Sequence, residues 1–300
     1  MTTLYLTPND NIQHILDGYP LDERLEVHLE AGVYTQKLRL KHNHLNLIGS
    51  QTGKTIICYG DYSYKMHVDG LLYNTFRTQT VMILGDHVTL EHLIIENSSG
   101  SGLTIGQAVA LTLYGNHISI KSCELIGHQD TLFIGPLPKD LTVRYDDFLP
   151  IEERQTTQTF SYFYQTKISG DVDFIFGSGT ALFEDCHILA THKGYIAAPS
   201  TDASFEYGFI FYNCLIESLT HEPVYLARPW REFGKTHFIN SNFTGKFSSL
   251  RYDAWDKTSY TFAEYPYVPS SLGVPIEEEG IEQLKQYVLQ HFNRSMQMNP

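Results

Sequence analysis

Phe183-Glu184-Asp185-Cys186-His187-Ile188-Leu189 is a strand-like heptad that recurs along the chain. Ile120-Lys121-Ser122-Cys123-Glu124-Leu125-Ile126 and Phe211-Tyr212-Asn213-Cys214-Leu215-Ile216-Glu217 resemble it, Phe238-Ile239-Asn240-Ser241-Asn242-Phe243 continues the series, and Phe163-Tyr164-Gln165-Thr166-Lys167-Ile168 fits inside it. With Cys123, Thr166, Cys186, Cys214 and Asn242 taken as equivalent, the intervals are 43, 20, 28 and 28 residues. All but the first are one solenoid coil long. Short strands at this spacing, with no helices between them, cannot make a helix-covered parallel sheet, but each can stack on its counterpart one coil away. The expected fold class is all-β: a single-stranded right-handed parallel β-helix, its hand set by crossover sterics, with short N-terminal and C-terminal helices. Cys123, Cys186 and Cys214 then form a column of small side chains packed inside the coil.

The flanks fit this frame as one domain over 1–300. Asn9-Asp10-Asn11 caps a short helix through Ile12, Ile15 and Leu16, ended by Gly18 and Pro20. Alternation then predicts strands at 25–29, 38–40, 45–47 and 56–57, and no other segment before 270 has a helical period. The interval of 43 requires an insertion, supplied by a polar excursion over 136–159 that is expected to line a binding face. After the acidic run Glu277-Glu278-Glu279, Ile281, Leu284, Val288 and Phe292 form a helical stripe. This segment, 271–294, is expected to cover an open edge of the solenoid.

Composition bounds the partners. With 300 residues, 42% hydrophobic and 18% charged, the chain can bury a large core. Twenty Tyr and 17 Phe favour sheet and are common on carbohydrate-facing surfaces. A formal charge of −13 excludes nucleic acid and an anionic membrane surface as partners, and it disfavours a densely anionic polymer unless the charges of that polymer are masked. Neither the four cysteines, at 58, 123, 186 and 214, nor His128, His187 and His192 have metal-ligand spacing. No basic segment with a following apolar run opens the chain, so as written it is expected in the cytoplasm, or outside the cell if its signal is missing from this sequence. A monomer is expected.

Gly170-Asp171-Val172-Asp173-Phe174-Ile175-Phe176-Gly177 holds two carboxylates in an otherwise apolar octet. A period of two puts Val172, Phe174 and Phe176 on the core face and Asp171, Asp173 and Ile175 on the other. Asp is depleted in strands and costly to bury unpaired, and a solvated outer face is the plain reading of both. Three further segments carry polar groups where strand patterning predicts none: Gln107-Ala108-Val109-Ala110-Leu111, opening a strand; Gly127-His128-Gln129-Asp130-Thr131-Leu132; and Tyr225-Leu226-Ala227-Arg228-Pro229-Trp230. Taken singly, Gln107 is open to pairing with backbone, Gln129 and Asp130 to turn formation, Arg228 to bracing a loop and Trp230 to the core.

Together these four segments, in this order, resemble the pectin methylesterase (pectinesterase) family, of bacterial type with a longer inserted loop. The resemblance runs from the opening helix through Gly32-Val33-Tyr34-Thr35-Gln36-Lys37 and Leu47-Ile48-Gly49 to Trp255 and Ala263-Glu264-Tyr265. It implies a carboxylic ester hydrolase that demethylates C6 methyl esters of galacturonate in pectin or its oligomers, with no cofactor and no metal. It implies Asp173 as nucleophile, Asp130 as general acid and then base, and Gln107 and Gln129 as oxyanion donors. Arg228 would orient Asp173, and Trp230, Phe176 and Trp255 would bind substrate. Three departures stand out: Ala227 where Gly is usual, Gln36 where Glu is common, and Ser178 where Asn is frequent.

The residue types suit that chemistry. A carboxylate can attack an ester to form a covalent anhydride, and an Arg fork keeps it ionised. Amide side chains can hold the oxyanion. A second carboxyl, its pKa raised by the first, can give and then take a proton. For Asp130 and Gln129 to reach one site, the strand must begin after Asp130 or bend there, so a turn or bulge is expected at 129–131. The rival readings are an acyl thioesterase or other esterase on this scaffold, a calcium-dependent lyase, and a non-catalytic carbohydrate-binding β-helix.

Overall fold

The computed structural model describes residues 1–269 and 271–297. The chain winds as a right-handed parallel β-helix. One eleven-stranded sheet takes its strands in chain order, from Thr2–Leu6 through Leu25–Leu29 and Leu45–Ile48 to Thr261–Tyr265 and Val274–Pro275. The other, of thirteen strands, is two ladders fused where Lys167–Gly177 and His187–Pro199 run through both. The predicted strands and the opening helix, Ile12–Leu16, are present, with Asn11 accepting the His14 N–H as its cap. Gln36 is structural: its amide accepts from Ile12 N at 2.9 Å and donates to Asp10 O at 2.7 Å, tying that helix down.

The repeat has a physical basis. Ser122, Gln165, Asp185, Asn213 and Asn240 turn the same corner on successive coils, each with φ between 48° and 54°, a region that short polar residues tolerate. The residue after each corner donates to a carbonyl of the preceding coil: Cys123 to Leu90, Thr166 to Ile120, Cys186 to Phe163, Cys214 to Phe183 and Ser241 to Phe211. The last member is therefore Ser241, not Asn242, which pairs with Leu215. The column needs small donors rather than merely small side chains. Beside it Phe163, Phe183, Phe211 and Phe238 stack at 4.5–4.6 Å, each pair adding about 0.5–1.5 kcal/mol beyond burial.

Two expectations about the periphery change. The 136–159 insertion is not simply polar: it carries a helix, Lys139–Arg144, and buries Leu137, Leu141 and Leu149 with Phe76, Met82, Phe133 and Phe176 in a second apolar cluster outside the coil. The C-terminal helix, Glu278–Gln297, is long, and it covers a sheet face rather than an open edge. Ile281, Leu284 and Val288 pack on the outward side chains Phe160, Leu182, Ile210 and Ile239. Those outward apolar residues needed a cover, which the helix stripe provides. Phe292 lies outside the residues whose side chains are described. Among the described residues no helix is long and apolar enough to cross a membrane.

Candidate active site

Lys167–Gly177 does not alternate along its whole length. Val172 pairs with Tyr195 and Ile175 with Ala197, so Asp173 and Phe174 together oppose Ile196. This is a β-bulge, and one extra residue reverses which side chains face inward. Phe174 and Ile175 both enter the core, Val172 is half-buried, and Phe176 turns outward to the second cluster beneath Trp230. The expected inner triad of Val172, Phe174 and Phe176 is thus wrong, because it assumed strict alternation. Asp173, at φ 50°, leaves the strand at the bulge and faces a cleft.

Asp130 occupies the matching place one coil earlier. Leu132 pairs with Ile175, and Asp130 N donates to Val172 O at 3.1 Å, which aligns the two aspartates. Its φ is 65°, and the strand begins only at Leu132, so the expected turn at 129–131 is present. Gln107 stands one coil earlier again, because Ala108 N donates to Gln129 O at 3.2 Å. It does not open a strand, which starts at Leu111; Ser63 holds it, Ser63 Oγ accepting from Gln107 N at 3.0 Å. Both glutamine side chains line the cleft with Asp130, Asp173 and Arg228. Gly102 packs so tightly on Gln129 that a Cβ there would lie 2.6 Å from Gln129 Cβ.

Arg228 grips Asp173 with both arms of its fork, Nε to Oδ1 at 2.9 Å and Nη2 to Oδ2 at 2.6 Å. Its guanidinium lies between two rings, 4.0 Å from the Tyr195 centroid and 3.9 Å from that of Trp255. Asp253 braces both jaws, accepting from Tyr195 OH at 2.9 Å and Trp255 N at 2.8 Å. Trp255 therefore touches the cleft mainly as a wall against Arg228. Tyr195 and Asp253 carry no sequence signal, since each is an ordinary strand or turn residue in isolation. The Ala227 methyl does not crowd the site: Ala227 points into the core beside Ala197, and the Arg228 fork is undisturbed.

Burial and charge separate the two carboxyls. Burial raises the Asp173 pKa, but the Arg228 hydrogen bonds and charge pull against it. Burial raises Asp130 much further, the Asp173 charge adds to it, and Arg228 opposes only at a distance. Burial thus raises both carboxyls, but only Asp173 has a hydrogen-bonded cation working against that rise, which sets the two apart. Asp171 is not solvated as expected: it is buried, with His128 Nδ1 at 3.2 Å.

The cleft holds roughly 460 Å³, within the range of about 300–1,000 Å³ usual for ligand sites. Phe176 and Trp230 meet edge to face at 5.8 Å on its wall. The insertion closes one side, with Arg144 and Tyr145 in the lining and Asp140 held by Arg231 at 2.7 and 2.9 Å.

A family description of Pectinesterase matches residues 5–136 and 151–267, leaving out the heart of the insertion. The chain is 30% identical, over 85% of its length, to the probable pectinesterase/pectinesterase inhibitor 64 of Arabidopsis thaliana, and it spans 42% of that relative. The pectin methylesterase from Yersinia enterocolitica superposes with a TM-score of 0.74 at 25% identity, over 93% of this chain and 97% of its own. A pectin methylesterase crystallised in complex with hexasaccharide VII does so with 0.73 at 22% identity, over 94% and 92%. With the four motifs folded into one cleft and the match covering most of the helix, the chain belongs to the pectinesterase family.

Proposed function

We propose that this chain hydrolyses the C6 methyl esters of galacturonate in pectin or oligogalacturonides, releasing methanol. The observation that carries the reading is the aligned pair Asp130 and Asp173, of which Arg228 binds only one. The Asp173 carboxylate attacks the ester carbonyl, and the Gln107 and Gln129 amides donate to the oxyanion. Collapse breaks the C–O bond to methanol, which takes the Asp130 proton, and leaves an acyl-Asp173 anhydride. Asp130, now ionised, takes a proton from water as its oxygen attacks the anhydride, which frees Asp173 and the acid product.

Trp230 and Phe176 form the sugar-facing wall. Crystallisation of a pectin methylesterase of this fold with a hexasaccharide supports an oligosaccharide in the cleft. Incubation with methylated pectin, with and without chelator, tests the reading. Methanol without unsaturated product is expected in both cases; unsaturated product or no methanol would overturn it.

A further inference from the structure

The spacing of His128, His187 and His192 gives no sign of a metal site, yet the winding brings two of them together. His187 pairs with Glu217 at 2.8 Å, whereas His128 and His192 converge on Asp171. We propose that His128, Asp171 and His192 bind a divalent cation of the zinc class on the flank of the cleft.

The three residues come from three successive coils. Asp171 N donates to His128 O at 3.1 Å, which places those two side by side. Between the pairs Gly170–Ala190 and Val172–Tyr195, one strand has Asp171 alone while its neighbour has Thr191, His192, Lys193 and Gly194. The surplus residues arch outward over Asp171. Gly194 sits so close that a Cβ there would lie 2.1 Å from Asp171 O. The arch carries His192 to the other two, and one ligand atom from each lies within 4.8 Å of the rest.

In a tetrahedral shell with bonds of about 2.0–2.2 Å, ligand atoms stand about 3.3–3.6 Å apart. His128 Nδ1 and Asp171 Oδ2, at 3.2 Å, already have nearly that spacing. Only His192, the exposed member, has to close in.

The charge of Asp171 points the same way. Its carboxylate is buried; Oδ1 accepts from Val172 N at 2.7 Å, and among the described residues its one ion-pair partner is His128. Asp173 has Arg228 and Asp61 has two lysines, but Asp171 has no fixed cation. A buried carboxylate without one is costly, and a bound metal supplies it. Two imidazoles and one carboxylate suit zinc and its late first-row neighbours rather than calcium or magnesium, which take oxygen ligands. None of the three residues lines the cleft. The metal would tie three coils together outside the turn that carries Gln129 and Asp130.

Calorimetric titration of the metal-free full chain with zinc chloride tests this. One zinc per chain is expected, with a rise in Tm. His192→Ala and His128→Asn should each weaken binding by at least about tenfold and cancel most of that rise, while His187→Ala should bind as the unaltered protein does. Since His192 is exposed, its variant tests the site without disturbing the core. No stoichiometric uptake, or undiminished binding by His192→Ala, would refute the site. The readout is independent of ester hydrolysis, so a chain inactive on pectin leaves this test intact.

Discussion

Asp130 and Asp173 stand on neighbouring coils at matched register, both with left-handed backbone, and Arg228 forks onto Asp173 alone. Burial raises both chemically identical groups, and one asymmetric contact opposes that rise strongly at Asp173 only.

Arg228→Lys keeps the positive charge but removes the fork and weakens both ring contacts. The kcat for methanol release should fall about 100- to 1,000-fold with little change in KM. With less to oppose burial, the Asp173 pKa rises and the acid limb of the pH profile moves to higher pH. An acid limb left in place would contradict the role given to Arg228.

Asp130→Asn should lower kcat about 100- to 10,000-fold and abolish the alkaline limb of the profile. It also carries a stability signature. Burial and the Asp173 charge hold the folded-state pKa of Asp130 well above the ordinary aspartate value that applies in the unfolded chain, so across the interval between them the native state holds a proton that the unfolded chain releases. Stability is undiminished below that unfolded value and is lost as pH climbs from there towards the folded one. Melting scans should show the Tm advantage of Asp130→Asn over the unaltered protein growing with pH across that window; a constant difference would argue against a protonated Asp130.

Trp255→Leu separates bracing from sugar binding. Loss of one cation–π wall is worth about 0.5–2 kcal/mol, or roughly a 2- to 30-fold loss in kcat if the wall positions Arg228. A rise in KM with kcat unchanged would instead make Trp255 a substrate platform.

Gly102→Ala drives a methyl group into Gln129. Displacing one oxyanion donor should lower kcat about 100- to 1,000-fold. The glycine opens a one-turn helix, Gly102–Ile105, that buries none of its residues, so the Tm should barely move. Steady-state kinetics beside a thermal melt decides whether Gly102 is there to seat the amide.

The coil was legible because its corners repeat: Ser122, Gln165, Asp185, Asn213 and Asn240 mark it in the sequence, and the residue after each corner repeats with them. The polar residues that meet in the cleft were legible as interruptions of strand patterning at Gln107, Gln129, Asp130, Asp173 and Arg228. What the pattern hid depends on register between coils. Tyr195 and Asp253 act only through Arg228, and His128, Asp171 and His192 meet only because the chain returns twice to the same flank. Strict alternation misplaced Phe176, since a bulge of one residue leaves no mark in composition.

That extra residue has a consequence for transplanting the site. An aspartate substituted into a regular strand of another β-helix would bring the side chain without the shift in parity, and either the carboxylate or the aromatic wall after it would end up facing the interior. The portable unit is the dislocation itself: Val172 to Phe176 moved as a block, together with a neighbouring strand one residue shorter across the same span.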